Sequence, residues 1–398
     1  MLTKQLDLNI DQQSWGRRVV PAWAKVPNPT TTIDVFRALL MLGSLTTPNA
    51  LSQASPERYW ACIRYFTACA ADRRLKINRS FLELDPHQKG ILSDDFGVAI
   101  STYWLQQQLG GTRSIVDGRR FAINMGIRTA KGAQRLAKVG RRKCPDFVLE
   151  DSQGRFHVLE CKGTQSGPAA LARAMHMGHA QKLGIKVDRA YRGERLVIGL
   201  CLAGDGSSFP SELVVQDPPS FPITAIGRRD AQKADEIMRR LSMARALNLT
   251  GFPDTAFELA WPQDLRRDSP ELEFLSGAER KAISIGRAPR QARVKRELES
   301  EIRTQRRRPE TDYLTQEVRF DLPALQLDNG DVVTSVVMRR GLSRELLENF
   351  ERDIPEIRAV AEQRVRDTRS GEIIRFTDTP HSTKMDYGGY FFSEAVFS

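Results

Sequence analysis

Two short apolar runs joined by a polar turn constrain the fold of this chain more than any other stretch. Residues 145–150 (PDFVLE) and 158–163 (VLECKG) flank the turn formed by residues 151–154 (DSQG). Apolar runs of this length around a short turn with glycine predict a β-hairpin. If Gly154 takes the left-handed conformation of a three-residue loop, residue 151 pairs with 155 and 150 pairs with 156. The register of the whole hairpin therefore depends on this glycine.

The predicted register brings three ionisable side chains together. Counting outward from the turn, Asp146 lies opposite Glu160, and the β-carbons of directly opposed residues are roughly 4.5–5.5 Å apart. Because side chains alternate along a strand, Lys162 shares the face of Glu160 while Cys161 points to the other face. Two acids opposed among Phe, Val and Leu repel each other, and desolvated charges are costly unless they are paired or bind a metal.

A divalent cation would resolve this repulsion. Mg²⁺ takes carboxylate oxygens as ligands and keeps several waters, so Asp146 and Glu160 are candidate metal ligands. Lys162 is then placed to orient a water, to stabilise it as hydroxide and to offset phosphate charge. These are the components of metal-assisted phosphodiester hydrolysis. The alternative is a half-exposed hairpin whose Asp, Glu and Lys are solvated.

The residues Pro145-Asp146 and Glu160-Cys161-Lys162 resemble the signature of the PD-(D/E)XK nuclease superfamily, which has the restriction-endonuclease-like fold. The motif is short, and its context in a hairpin with apolar flanks gives it specificity. The resemblance implies Asp146, Glu160 and Lys162 as catalytic residues. It also implies Mg²⁺, for which Mn²⁺ can substitute, held by Asp146, Glu160 and the backbone carbonyl of Cys161.

In the resembled fold, a helix before the hairpin often contributes a further acid. The pattern predicts such a helix over residues 94–109, capped by Ser93 and ended by Gly110-Gly111. Its acids are Asp94 and Asp95, and Asp95 is the candidate additional ligand. The alternative is that both acids stabilise the helix dipole from the first turn.

The fold class expected is α/β, with a restriction-endonuclease-like core in which helices flank a mixed central sheet. Within this core the sequence predicts a first strand over residues 121–127 and a buried strand over 195–202. Composition shifts divide the chain into four parts: a mainly helical N-terminal region (1–90), the nuclease core (91–225), a basic helical linker or DNA-binding region (226–308) and a C-terminal α+β module (309–398).

The charge of the chain favours a polyanionic partner. Its 398 residues carry a formal net charge of +11, which suits nucleic acid or a membrane surface. No apolar run approaches the roughly 20 residues of a spanning helix, and the first residues lack the apolar core of a signal peptide. The five cysteines are dispersed, which fits reduced thiols in the cytoplasm. DNA is therefore the expected partner and no membrane is expected.

Several residues near the hairpin are candidate DNA contacts. Basic residues precede Pro145, polar residues follow Lys162, and a lysine ends the next predicted helix; all could contact phosphate oxygens. These candidates are Arg141, Arg142, Lys143, Thr164, Gln165 and Lys182.

The sequence therefore predicts a metal-dependent nuclease that hydrolyses DNA. An endonuclease with a targeting, defence, restriction or mobile-element role is favoured, acting as a homodimer or with other protein subunits. The alternative is a nucleic-acid-binding or scaffolding protein that keeps the fold without catalysis. RNA is a less favoured substrate, because no residue is evident that would read a 2′-hydroxyl.

Overall fold

A computed structural model describes residues 2–25, 29–47, 59–126, 144–181, 185–187, 191–217, 224–226, 230–262, 277–305, 312–354, 357–361 and 374–398. The strands in these ranges form a seven-stranded mixed sheet, a five-stranded antiparallel sheet and a two-stranded sheet. Helices pack around them, so the chain has a mixed α/β fold.

The seven-stranded sheet is the centre of the fold. Its strands run in the order β2 (Thr30–Asp34), β1 (Thr3–Ile10), β8 (Glu212–Gln216), β7 (Arg192–Cys201), β5 (Phe156–Thr164), β4 (Phe147–Asp151) and β3 (Thr112–Asp117). The pairs β1–β8 and β5–β7 are parallel, and the other neighbours are antiparallel. Strand β7 confirms the buried strand predicted over 195–202.

The predicted hairpin is strands β4 and β5, and its register is confirmed. Glu150 pairs with Phe156, and Phe147 pairs with Leu159. Gly154 has a φ of 75°, and its N–H donates to the Asp151 carbonyl at 3.1 Å. The next pair in this register sets Asp146 opposite Glu160.

Two helices cover opposite faces of β5. Helix α4 (Pro86–Gln108) lies on the face of Cys161, and helix α6 (Pro168–Gln181) lies on the face of Glu160 and Lys162. Glycines allow both close approaches: a β-carbon at Gly97 would lie 2.7 Å from the Lys162 carbonyl oxygen, and one at Gly178 would lie 3.3 Å from Glu160 Cγ. The helices therefore pack closely against β5, the strand that carries Glu160 and Lys162.

The start of helix α4 differs from the prediction. The Asp85 carboxylate accepts hydrogen bonds from the His87 and Gln88 N–H groups, so the helix begins at Pro86. Ser93 is inside the helix, where its hydroxyl donates to the Lys89 carbonyl. The end at Gly110-Gly111 is confirmed, since both have positive φ. Asp94 and Asp95 thus lie beyond the first turn, where the dipole explanation no longer applies.

The first strand predicted over residues 121–127 is wrong for the described residues. Residues Gly118–Met125 form helix α5, and strand β3 precedes it. The Asp117 carboxylate accepts from the Arg120 N–H at 2.7 Å and caps the helix. A short apolar run cannot be assigned to strand or helix by periodicity alone. Here the Asp117 cap favours the helix.

Residues 1–90 are not a mainly helical region separate from the core. They supply β1 and β2 to the central sheet, and the predicted boundary at residue 90 falls inside helix α4. The other elements of this region are two 3-10 turns (Gln12–Trp15 and Ala22–Lys25) and helices α1 (Val35–Thr46), α2 (Trp60–Ile63) and α3 (Arg79–Leu82).

Within the described ranges, most residues between 230 and 305 are helical. The helices are α7 (Ala231–Leu249), α8 (Pro253–Ala260), α9 (Gly277–Ser284) and α10 (Arg287–Gln305). The two-stranded sheet pairs β6 (Ile185–Val187) with β9 (Thr224–Ile226). No helix in the described ranges is long and apolar enough to cross a membrane.

The described C-terminal residues form the five-stranded sheet, one named helix and a further helical segment over residues 357–361, in agreement with the predicted α+β composition. In spatial order the strands are β10 (Tyr313–Gln326), β11 (Val332–Ser343), β14 (Phe391–Phe397), β13 (Ser382–Tyr387) and β12 (Ile374–Thr379); helix α11 spans Arg344–Arg352. The Phe397 ring stacks on Phe36 of α1 with centroids 4.2 Å apart. The C-terminal sheet therefore packs on the N-terminal part of the chain.

Candidate active site

The two acids of the motif are held together by backbone hydrogen bonds. Asp146 lies one residue before β4, and Glu160 lies in the middle of β5. The Cys161 N–H donates to Asp146 Oδ2 at 2.8 Å, and the Asp146 N–H donates to Glu160 Oε2 at 3.3 Å. Each carboxylate is therefore fixed against the strand that carries the other.

Lys162 joins the acids on the predicted face. Its Nζ lies 2.5 Å from Glu160 Oε1. The Glu160 side chain is fully buried, whereas 20% of the Lys162 side chain is exposed. The lysine therefore connects a buried carboxylate to the solvent side of the site, where a substrate could approach.

The backbone of Cys161 faces the acids, whereas its side chain does not. The thiol is buried on the face covered by α4, and burial raises its pKa well above the ordinary value. In an extended strand, the N–H and C=O of one residue point to the same side. Because the Cys161 N–H reaches Asp146, its carbonyl is directed to the same side, as a metal ligand there requires.

Burial controls the protonation of the site. The pKa of Glu160 is raised to about 8, mainly by burial and then by the charge of Asp146, while Lys162 opposes the shift. Burial also raises the pKa of Asp146, although the Cys161 N–H counteracts it. Burial alone would lower the pKa of Lys162, but Glu160 holds it above the ordinary value. A cation between the two carboxylates would relieve this cost.

This electrostatic balance predicts that metal binding depends on pH. A Glu160 carboxyl with a pKa of about 8 keeps its proton below that pH, and a metal requires the ionised form. Affinity for Mn²⁺ should therefore rise with pH up to about 8 and then level off, and binding near neutral pH should release a proton. Isothermal titration in buffers of different ionisation enthalpy measures both effects. An affinity that is constant through this range would contradict the prediction.

Of the two acids on helix α4, Asp94 rather than the predicted Asp95 interacts with the charges of the site. The Asp95 carboxylate accepts a hydrogen bond from the Tyr65 hydroxyl at 2.6 Å. Asp94 contributes to the raised pKa of Asp146, and Lys162 in turn lowers the pKa of Asp94, which burial raises overall. Successive helix residues point about 100° apart, so only one of the two acids can face β5.

The predicted DNA contacts have different outcomes. Gln165 Nε2 donates to the Lys89 carbonyl at 3.1 Å and to Ser93 Oγ at 3.0 Å, so this side chain fastens the loop to α4. The Thr164 hydroxyl accepts from the Ser166 N–H within the same loop. Gln165 is therefore better explained as structural, whereas a DNA contact of the Thr164 hydroxyl stays a prediction. The remaining candidates, Arg141, Arg142, Lys143 and Lys182, lie outside the described residues.

Asp117 is a neighbour of the site that the sequence did not indicate. The N–H of the following residue, Gly118, donates to the Asp146 carbonyl at 3.0 Å, and the Asp117 charge raises the pKa of Asp146. The Asp-Gly-Arg-Arg sequence after a buried strand was a signal for this capped turn. Without the pairing of β3 and β4, however, nothing indicated that it lies beside Asp146.

The donors of the site fit a hard divalent cation. Mg²⁺ is commonly bound by one or two carboxylates together with waters and substrate phosphates. The residues available are Asp146, Glu160 and the carbonyl of Cys161. Within the described ranges, no group of three or more His, Cys, Asp or Glu is arranged to hold a metal by itself. Binding at this site would therefore depend on water and phosphate oxygens as further ligands.

Comparison with known proteins gave no match: no protein-family model, curated protein or solved structure matches this chain. The function of the site is therefore argued from its own geometry.

Proposed function

We propose that this chain is a Mg²⁺-dependent deoxyribonuclease with a PD-(D/E)XK, restriction-endonuclease-like core. The observation that carries the proposal is the convergence of Asp146, Glu160 and Lys162 at one end of the β4–β5 hairpin. The order of helix α4, strands β3, β4 and β5, helix α6 and the parallel strand β7 supports it, since the resembled fold requires helices on both sides of such a hairpin.

In this proposal each residue of the site has a separate role. Asp146, Glu160 and the Cys161 carbonyl would hold Mg²⁺, which would supply Lewis acidity and activate a water. Lys162, fixed by its ion pair with Glu160, orients the attacking water and offsets the charge of the phosphate. Helix α6 covers the Glu160 face and excludes bulk water there, which strengthens these interactions.

DNA is the proposed substrate because the chain carries a net charge of +11 and phosphate neutralisation dominates nucleic-acid affinity. The additional helical and C-terminal parts of the chain suit an endonuclease with a targeting, defence, restriction or mobile-element role. Such a role would involve a second copy of the chain or other protein subunits.

A panel of substrates tests this proposal. We expect the purified protein to nick or linearise supercoiled plasmid in Mg²⁺ or Mn²⁺ and to be inactive in EDTA. Linear duplex and single-stranded DNA distinguish endonuclease from exonuclease products, and a matched RNA tests the choice of nucleic acid. Cleavage that persists in EDTA would contradict the metal requirement.

The second candidate is a nucleic-acid-binding or scaffolding protein without catalysis. It is favoured by the ion pair between Glu160 and Lys162, which lets the site be charge-compensated with no metal. DNA binding that is equal with and without metal, together with no cleavage in any arm of the panel, would support this candidate.

A further inference from the structure

A basic pocket lies beside the proposed active site. It has a volume of about 240 Å³, and it is formed where the end of β3, the start of α5, helix α7 and the end of α1 meet. Its charged lining residues are Asp117, Arg119, Arg120 and Arg245. Three arginines and one aspartate give this arginine pocket a net positive charge.

The arginine pocket is physically joined to Asp146. Gly118, which starts α5, donates its N–H to the Asp146 carbonyl at 3.0 Å. A β-carbon at Gly118 would lie 2.2 Å from the Pro145 carbonyl oxygen, so the helix starts directly against the peptide that precedes Asp146. Arg119 and Arg120, which line the arginine pocket, directly follow Gly118 in the sequence. This side of the pocket therefore lies next to Asp146.

The arginines are oriented by the fold. Arg245 Nη1 donates to the Ile115 carbonyl at 2.6 Å, and the Arg120 guanidinium lies 5.5 Å from the centre of the Trp261 ring. A guanidinium carries several N–H donors in a rigid fork, so the bond to Ile115 orients Arg245 without using all of its donors. The Asp117 carboxylate accepts from the Arg120 backbone N–H, which fixes the single acid of the pocket in a helix cap.

We propose that the arginine pocket binds a phosphate group of the nucleic-acid strand that is cleaved at Asp146 and Glu160. Arginine forks match phosphate oxygens in geometry and charge. The volume is below the about 300–1,000 Å³ of pockets that enclose drug-sized ligands, so a phosphate with part of its sugar fits better than a larger ligand. The inference rests on the proposed function, because it assigns the phosphate to the same substrate. The phosphate is either an internal diester or a terminal monoester.

Binding measured without cleavage tests the pocket separately from the nuclease. Arg119→Gln and Arg245→Gln are compared with the wild type in EDTA, using a fluorescent short duplex over a range of salt concentrations. Each variant should weaken binding and lower the slope of log K against log salt by about 1, as expected for one lost phosphate contact. Arg352→Gln is the matched control, because it removes the same charge from an exposed residue of α11 and should leave the slope unchanged.

The outcomes separate the two proposals. If the wild type binds DNA and both variants keep its slope, the pocket proposal fails while the nuclease proposal stands. A wild type that does not bind DNA overturns both. Thermal denaturation of each variant checks that the fold is intact, and Arg119→Gln serves as the test if loss of the bond to Ile115 unfolds Arg245→Gln.

Duplexes with 5′-phosphate and 5′-hydroxyl ends then identify the source of the phosphate. A loss of affinity confined to the phosphorylated duplex indicates the terminal monoester. An equal loss of affinity for both duplexes indicates the internal diester.

Discussion

Lys162→Ala should reduce cleavage of plasmid DNA by about 10²–10⁴-fold, the range expected when a group that assists proton transfer is removed. The lysine is the only proposed catalytic residue that is not a metal ligand, so the variant should still bind Mn²⁺. Its Nζ contacts Glu160, and its loss leaves the attacking water without a positioning group. Rates from single-turnover plasmid cleavage, measured beside metal titration, check both parts of this prediction.

Two further variants are compared with Lys162→Ala: Asp146→Ala, which removes a proposed metal ligand, and Lys295→Ala, which is the control. Asp146→Ala should abolish both cleavage and metal binding, because it removes a ligand. Lys295→Ala changes a lysine whose side chain is 62% exposed on α10, and it should leave both unchanged. Wild-type cleavage rates in purified Lys162→Ala or Asp146→Ala would refute the assigned site.

Gly97→Ala should destabilise the protein by about 3 kcal/mol, at the upper end of the range for overpacking a close contact. A β-carbon at residue 97 would lie 2.7 Å from the Lys162 carbonyl oxygen and 2.9 Å from the Gly163 backbone nitrogen. Backbone atoms of a central strand cannot move aside as the end of a side chain can, so α4 and β5 must separate. Because β5 carries Glu160 and Lys162, the variant should also lose cleavage activity.

Gly90→Ala is the matched control, since it is the same substitution in the same helix. Among the described residues, no atom outside the adjoining turns of the helix lies within 4 Å of a β-carbon placed there. Replacing a helical glycine with alanine should stabilise the protein by about 0.5–1 kcal/mol. Denaturant unfolding of the two variants gives the comparison. Equal stabilities would show that the close packing of α4 against β5 does not matter.

The sequence predicted the parts of the site that depend on local geometry. Two apolar runs and a turn glycine determine a hairpin and its register, and strand alternation then puts Asp146, Glu160 and Lys162 together. The positive φ of Gly154 and the pairing of Glu150 with Phe156 confirm this argument. The buried strand β7 was predicted for the same local reasons.

Elements whose identity depends on distant partners were not predictable from the sequence. Residues 118–125 have too short an apolar run to distinguish strand from helix, and the Asp117 cap decided the outcome. Likewise, β1 and β2 belong to the central sheet only because β1 pairs with β8, which lies some two hundred residues later. The composition of residues 1–90 does not indicate that β1 pairs with β8.

Local sequence was enough to specify a hairpin with two acids and a lysine on one face, because neighbouring residues in a strand have fixed directions. Packing between distant elements then set which further charges surround them. The packing of α4 against β5 places Asp94, rather than Asp95, near the site. The pairing of β3 with β4 places Asp117 and the arginine pocket beside Asp146. These choices depend on packing between elements far apart in the chain, which local periodicity does not encode.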